Sequence, residues 1–117
     1  MNKQYRVKKN KEIELIIKEK KFWSNPYYSV YKRFNPETKN FRYAISVGKK
    51  LGNAVVRNQI KRKITAILDN LNINLDTNTD VFIIARSKLI EADFEEMKKQ
   101  LKYLFKKLNL LKGEKNE

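Results

Sequence analysis

The sequence predicts a single α+β domain in which helices pack on a sheet as a two-layer α/β sandwich. Three segments carry apolar residues at helical spacing, and three others are aromatic or β-branched, in the order α-β-β-α-β-α. The 117 residues allow one modest hydrophobic core and are too few for two. Because no repeat or change of composition divides the chain, we expect one domain over residues 1–117, with 112–117 as a frayed tail.

The first half of the chain predicts one helix followed by two strands. A helix capped by Asn10 is expected over residues 10–20, because isoleucines recur there at helical spacing between charged residues. Residues 27–34 and 41–47 are rich in aromatic and β-branched residues, and an Asn-Pro-Glu turn lies between them. We expect the second strand to return antiparallel beside the first.

A long helix and a central strand are predicted next. Asn53 is placed to cap a helix that runs to about Leu71, and residues 72–79 form a polar connection. Residues 80–85 are apolar at both alternating positions. That pattern predicts a central strand that is covered on both faces.

The last predicted element is an amphipathic helix. Asp93 and Glu96 have the spacing of a capping box at its start, and Gly113 is expected to end it. Its apolar stripe consists of Phe94, Met97, Leu101, Leu104, Phe105, Leu108 and Leu111. Lysines flank the stripe, so the helix can either cover the sheet or lie on an anionic membrane, and we favour the sheet.

Charge is the strongest functional signal in the chain. Its 27 basic and 13 acidic residues give a net charge of +14, and eight of the cations lie within residues 38–68, which contain no Asp or Glu. Clustered Lys and Arg attract a polyanion and release its counterions, so we expect a nucleic acid partner. Lysine drift in an AT-rich genome is the alternative, which explains part of the lysine count but not the clustering.

On the helix that starts after Asn53, cationic and apolar residues fall on separate faces. At about 100° per residue, the apolar stripe consists of Val56, Ile60, Ile64, Ile67 and Leu71. The polar face carries Asn58, Lys61 and Arg62, with Arg57 at its border. Lys49 and Lys50 precede the helix, whose free N–H groups also attract anions. This region is therefore predicted to hold phosphates.

Several functions are excluded or disfavoured by composition. The chain has no Cys, hence no disulfide or thiolate zinc site, and no His, the commonest general base. No apolar run approaches the roughly 20 residues that cross a bilayer. Residues 1–6 lack the apolar core of a signal peptide, so a cytoplasmic location is expected.

The basic helix and its loop resemble the protein subunit of bacterial ribonuclease P. That family's signature is an Arg-Asn-x-x-Lys-Arg helix entered through a Lys-Lys-hydrophobic-Gly-Asn-Ala-Val loop. This chain has Arg57-Asn58-Gln59-Ile60-Lys61-Arg62, preceded by Lys49-Lys50-Leu51-Gly52-Asn53-Ala54-Val55. Ile45-Ser46-Val47, Ile83-Ile84-Ala85-Arg86 and Val7-Lys8-Lys9-Asn10 match as well. The resemblance spans about residues 5–111.

The resemblance implies a fold and a set of partners. The family has a four-stranded mixed sheet, so a short strand is expected near Phe22 and Trp23, giving the order α-β-β-(β)-α-β-α, with an unusual left-handed crossover around the signature helix. Its catalyst is RNA: the protein binds ribonuclease P RNA and contacts the 5′ leader of precursor tRNA in a cleft between the first helix and the sheet. Mg²⁺ is expected to be held by the RNA and substrate, with no dedicated protein site. Neither a membrane nor an obligate protein partner is implied.

The resemblance also assigns candidate site residues. The RNA-contacting candidates are Lys49, Lys50, Asn53, Arg57, Asn58, Lys61 and Arg62, to which Lys8 and Lys9 are added as an extension or as a solvated pair. The leader cleft is expected to include Ile13, Ile17, Ser29, Tyr31 and Ser46.

Two features of the chain depart from the family pattern. Family members often carry aromatic residues on the first helix, where this chain has Ile13 and Ile17. These stack poorly, and ordinary core packing is the favoured interpretation of both. Thr65 stands where many members have another basic residue.

Tyr31 also has two interpretations. It can stack on an unpaired base or be a half-buried sheet tyrosine.

Two other functions stay open at this point. A structural RNA-binding protein without a role in tRNA processing would show the same basic helix. A protein-only nuclease would need its own carboxylates for Mg²⁺. The candidates are Asp76, Asp80, Glu91, Asp93, Glu95 and Glu96.

Overall fold

The computed structural model describes residues 5–71 and 75–111, and these form three helices and one four-stranded sheet. The helices are α1 (Asn10–Lys18), α2 (Ala54–Leu71) and α3 (Phe94–Lys107), and the strands are β1 (Phe22–Ser24), β2 (Tyr28–Phe34), β3 (Phe41–Ser46) and β4 (Thr79–Ala85). The α+β class is confirmed, and β1 is the short strand expected from the resemblance. The predicted frayed tail at 112–117 and part of the 72–79 connection lie outside the described residues.

The strand order β1-β2-β4-β3 corrects the expected pairing of the first two long strands. Strand β4 lies between them, antiparallel to β2 and parallel to β3, and the hairpin partner of β2 is β1. Strand β4 takes the central position because its residues are apolar at both parities. Because parallel neighbours need a crossover, the chain passes from β3 through α2 to reach β4. The handedness of this crossover stays a prediction.

The main core lies on the side of the sheet that faces α2 and α3. Ile60, Ile64, Ile67 and Leu71 of α2 are buried, which confirms the predicted helix phase. The α3 residues Met97, Leu101, Leu104 and Phe105 are buried as well, so this stripe covers the sheet. Among the described residues, no helix is both long and apolar enough to span a membrane.

Two of the three predicted helix starts are confirmed. The Asn53 side chain accepts a hydrogen bond from the Val56 backbone N–H at 3.0 Å, and Asp93 accepts one from that of Glu96 at 2.8 Å. The Glu96 side chain instead accepts from Gln100, so the capping box is one-sided. The cap expected at Asn10 is wrong, because α1 begins there and Lys9 precedes it without a side-chain cap.

The helix α3 ends at Lys107, well before Gly113, which corrects the predicted end. Asn109 adopts φ 57°, a left-handed conformation that asparagine tolerates better than most residues. The Leu110 N–H then donates to the Phe105 carbonyl at 2.9 Å and the Asn109 N–H to that of Lys106 at 3.1 Å. This pair of bonds is a Schellman motif, which closes the helix without a glycine. Helix α1 ends at Lys18, two residues before the predicted position. Lys20, just beyond it, also has a positive φ, 55°.

The other side of the sheet is covered only in part. Helix α1 packs on β2 and β4, with Ile16 fully buried beneath it. Phe82 and Ile84, which point to this side from β4, remain half-buried. The expectation that β4 is covered on both faces is therefore confirmed on the α2–α3 side and met only in part on the α1 side.

Candidate nucleic-acid interface

The loop before α2 presents its lysines to solvent. Lys49, Lys50 and Leu51 form a short 3₁₀ turn in which both lysines are exposed and Leu51 is buried as an anchor. Gly52 has φ 145°, and a Cβ on it would lie 2.9 Å from the Cβ of Val56. Glycine is required at this position because only glycine allows both the backbone conformation and the close approach to the helix.

The predicted binding residues of α2 are displayed as expected, with one distinction. Asn58, Lys61 and Arg62 are exposed, whereas Arg57 is half-buried, as its place at the border of the helix face suggested. The Arg57 Nε is itself buried, and within residues 5–71 and 75–111 it has no hydrogen-bond partner. Thr65 does not extend the polar face outward, because its hydroxyl donates to the Lys61 carbonyl at 2.9 Å.

Arg6, which the sequence did not single out, joins this surface. The Val7 N–H donates to the Tyr43 carbonyl at 2.8 Å, so the N-terminal segment lies along the outer edge of β3. Arg6 thereby lines a cleft of about 460 Å³ together with Asn58, Lys61, Arg62, Thr65, Ala66 and Asp69. The only sequence signal for Arg6 was its position one residue before the matching Val7-Lys8-Lys9-Asn10 segment.

A second cleft connects the basic helix to α1. It measures about 290 Å³ and is lined by Arg6, Val7, Lys8, Ile13, Tyr43, Ala44, Ile45 and Lys61. Arg6 and Lys61 border both clefts, so the cations of α2 continue onto the N-terminal segment. Lys8 therefore lies beside the signature helix, whereas Lys9 is exposed at the start of α1 and does not line this cleft.

The predicted leader cleft lies on the partly open side of the sheet, where residues align in rows across the strands. One row consists of Ser46, Ile84, Ser29 and Ser24, and the next consists of Ala44, Phe82, Tyr31 and Phe22. Ser29, Tyr31 and Ser46 are thus brought to one face, as expected. Phe22 belongs to that face as well, although the sequence-based set did not include it.

The two isoleucines of α1 differ from the residue that anchors the helix. Ile16 carries the core contact, whereas Ile17 is 40% exposed and Ile13 is half-buried in the cleft beside Lys61. The interpretation of Ile17 as an ordinary core residue is therefore wrong. Both isoleucines border open surface, where they offer aliphatic rather than aromatic contact.

One of the eight cations within residues 38–68 is neutralised inside the fold. Arg42 donates to the Asp80 carboxylate and also contacts Glu12 of α1 at 3.3 Å. These partners, the Asp80 hydrogen bond first, raise the pKa of Arg42. Arg42 thus serves the fold, and the candidate binding surface consists of the loop, α2 and the N-terminal segment.

Two of the candidate nuclease carboxylates are held in other roles. Asp80 is fully buried against Arg42, and Asp93 caps α3. Within the residues that the structure describes, no three Asp or Glu side chains come together as a metal site.

These features define a small basic α+β protein with a cationic helix face beside a half-open sheet face. The family model described as Ribonuclease P matches residues 1–109. The ribonuclease P protein component of Bacillus cereus (strain AH187) is 42% identical over 107 residues, which cover 92% of this chain and 93% of that protein. The chain belongs to the ribonuclease P protein family.

Solved structures of that family share the fold. A Staphylococcus aureus RNase P protein superimposes with a TM-score of 0.85 at 34% identity, covering 91% of this chain and 96% of that one. The RNase P protein from Thermotoga maritima gives a TM-score of 0.78 at 31% identity, covering 87% of this chain and 96% of that one. The four-stranded mixed sheet with three helices is therefore the architecture of these proteins as well.

Proposed function

We propose that this chain is the protein subunit of a ribonuclease P ribonucleoprotein and assists its RNA in removing the 5′ leader from precursor tRNA by endonucleolytic cleavage. The phosphodiester hydrolysis belongs to the RNA partner, and the protein contributes positive charge and positioning. The observation that carries the proposal is the Arg57-Asn58-x-x-Lys61-Arg62 face of α2, next to exposed Lys49 and Lys50.

We assign the ribonuclease P RNA to the surface formed by the loop, α2 and the N-terminal segment. Its contacts are Lys49, Lys50, Asn53, Arg57, Asn58, Lys61, Arg62, Lys8 and Lys9, with Arg6 added by its place in both clefts. Lys61 and Arg62 meet the RNA as exposed cations. Asn53 acts through its remaining amide atoms, since its Oδ1 caps α2. The exposed cations favour phosphates because each contact releases condensed counterions.

The 5′ leader is assigned to the half-open sheet face beside α1. Ser29 and Ser46 offer hydroxyl groups, Tyr31 offers a ring, and Ile13 and Ile17 close the side of the cleft. An unpaired strand suits such a surface, since its bases can lie on rings while its phosphates stay near lysines. Holding the leader in this way raises the affinity of the holoenzyme for substrate.

Magnesium is assigned to the RNA and the substrate rather than to a dedicated protein site. Asp80, the most buried carboxylate, is bonded by Arg42 and Asn35, so its oxygens are already engaged. The chain instead promotes Mg²⁺ binding indirectly, by stabilising the RNA–substrate arrangement that coordinates the ions. The proposal places the protein in the cytoplasm, without a membrane anchor or an obligate protein partner.

The test is precursor-tRNA cleavage at low Mg²⁺ by a bacterial ribonuclease P RNA, with and without this protein. We expect a large increase in rate at the mature 5′ end and no cleavage by the protein alone. Tight RNA binding without stimulation would instead indicate a structural RNA-binding protein. Cleavage by protein and Mg²⁺ without the RNA would indicate a nuclease with its own carboxylates.

A further inference from the structure

An exposed aromatic ring lies at the outer edge of the half-open sheet face. Phe22 of β1 pairs in register with Tyr31 of β2, and their ring centroids are 4.9 Å apart at an interplanar angle of 25°. Phe22 remains 49% exposed, although one side of its ring is covered by Tyr31. The free part of Phe22 therefore presents apolar aromatic surface to solvent on the side of the sheet that α1 covers only in part.

The rings on this face form a continuous row. Phe82, Tyr31 and Phe22 occupy adjacent positions on β4, β2 and β1, and exposure increases from the two half-buried rings to the exposed Phe22 at the edge. On α1 the corresponding cleft residues are the aliphatic Ile13 and Ile17. The aromatic surface of this cleft is thus supplied by the strands, and its most accessible ring is on β1.

Charged and polar groups around Phe22 suit a single-stranded nucleic acid. Lys18 and Lys20 are exposed and precede the ring in the chain with Glu19 between them, whereas Lys21 lines a cleft with Lys32 on the other side of the sheet. In the neighbouring row, the Ser24 and Ser29 hydroxyls lie 2.8 Å apart and offer polar contacts beside the rings. Cations that hold a backbone next to an exposed ring are the features with which proteins bind unpaired strands.

We propose that Phe22 is a base-stacking site, where an unpaired base of the 5′ leader continues the Phe22–Tyr31 stack at the sheet edge. The inference rests on the proposed function, and it adds strand β1 to the surface that contacts the leader. Stacking is tolerant of base identity because every base has a π-face, so this contact strengthens leader binding without selecting a sequence. In this chain it takes the place of aromatic contacts that α1 does not provide.

Strand β1 offers a matched control. Trp23 is 47% exposed, nearly the same as Phe22, but it follows Phe22 and so points to the opposite side of the sheet, where Lys107 lies 5.7 Å from its ring centroid. Phe22→Ala and Trp23→Ala therefore remove comparable exposed aromatic surface from the same strand. Only Phe22→Ala is expected to weaken binding of the leader.

The experiment measures the affinity of the reconstituted holoenzyme for precursor tRNA with a long leader and with a leader cut to a single nucleotide. We expect Phe22→Ala to weaken long-leader binding about tenfold and Phe22→Leu to weaken it nearly as much, because leucine lacks a π-face. Phe22→Tyr and Trp23→Ala should bind like the wild type. With the single-nucleotide leader, all variants should bind alike.

A scan of abasic positions along the leader separates stacking from a structural role. In the wild type, one abasic position should weaken binding by as much as Phe22→Ala does, and in Phe22→Ala that position should no longer matter. Retention of the full leader contribution by Phe22→Ala, or an equal loss in Trp23→Ala, would overturn the inference. If the wild-type protein itself gains nothing from a long leader, the leader assignment under the proposed function fails first.

Discussion

Arg42 holds the buried carboxylate of Asp80 through two hydrogen bonds, Nε to Oδ1 at 2.9 Å and Nη2 to Oδ2 at 2.8 Å. Asn35 donates to the same carboxylate at 3.0 Å, and Arg42 also contacts Glu12 of α1 at 3.3 Å. The parallel pair β3–β4 is thereby joined to α1 at the end of the sheet opposite Ser46 and Ile84. This network orients the helix that borders the proposed leader cleft.

Replacing Arg42 by methionine is expected to lower the free energy of unfolding by about 3–5 kcal/mol, because it leaves a buried carboxylate without its cation. Urea unfolding followed by circular dichroism measures the change. The double variant Arg42→Met with Asp80→Leu should recover most of the loss, since no buried charge then remains. A single variant as stable as the wild type would show that Asp80 does not depend on Arg42.

Gly52→Ala should destabilise the loop that carries Lys49 and Lys50. Its φ of 145° and the 2.9 Å approach to Val56 predict a loss of about 1–3 kcal/mol in the free energy of unfolding. Gly48→Ala is the control, because a Cβ there meets nothing within 4 Å among the described residues. Equal thermal midpoints for the two variants would contradict the strain assigned to Gly52.

The exposed cations of α2 should determine the salt dependence of RNA binding. Lys61→Gln with Arg62→Gln is expected to weaken binding to ribonuclease P RNA and to reduce the slope of log K against log salt concentration by about 2, roughly one per lost phosphate contact. Lys99→Gln with Lys106→Gln removes the same charge from exposed positions of α3 and serves as the control. If both double variants reduce the slope equally, the binding depends on net charge rather than on the α2 face.

Alkaline pH should destabilise the fold through its buried tyrosines. Burial raises the pKa of Tyr28 and that of Tyr43, although nearby Arg6 partly opposes the latter shift. Since an unfolded phenol has a pKa of about 10, the unfolded state loses its protons first, and stability is full below that pH and falls as pH rises above it.

Tyr28→Phe isolates this effect. The variant loses the hydrogen bond to the Met97 carbonyl, 2.9 Å in the wild type, at every pH, which lowers the free energy of unfolding by about 1 kcal/mol. Its unfolding free energy should nevertheless fall less steeply than that of the wild type between about pH 9.5 and 11. Urea titrations across this range measure both slopes, and parallel slopes would show that Tyr28 does not contribute.

Much of the architecture was predictable because local rules act within short segments. The Asn53 and Asp93 caps, the phase of α2 and the strand β4 follow from side-chain chemistry and periodicity over a few residues. The end of α3 was mispredicted because the left-handed asparagine at 109 closed the helix, whereas the sequence pattern pointed to Gly113. The expected pairing of β2 with β3 is wrong because strands that follow one another in the chain need not be neighbours in the sheet. Here β4 lies between them.

The class of fold, the basic face of α2 and the family resemblance follow from the order of residues alone, because helical periodicity and a contiguous signature need no knowledge of distant contacts. Which charges reach the surface and which rings share a face depends instead on how the elements pack. Arg42 forms a salt bridge with Asp80, Arg6 lines a cleft together with Lys61, and the Phe22 ring stacks on the Tyr31 ring. Each outcome depends on strand order and register, which bring together residues far apart in the chain or assign neighbours to opposite faces of the sheet.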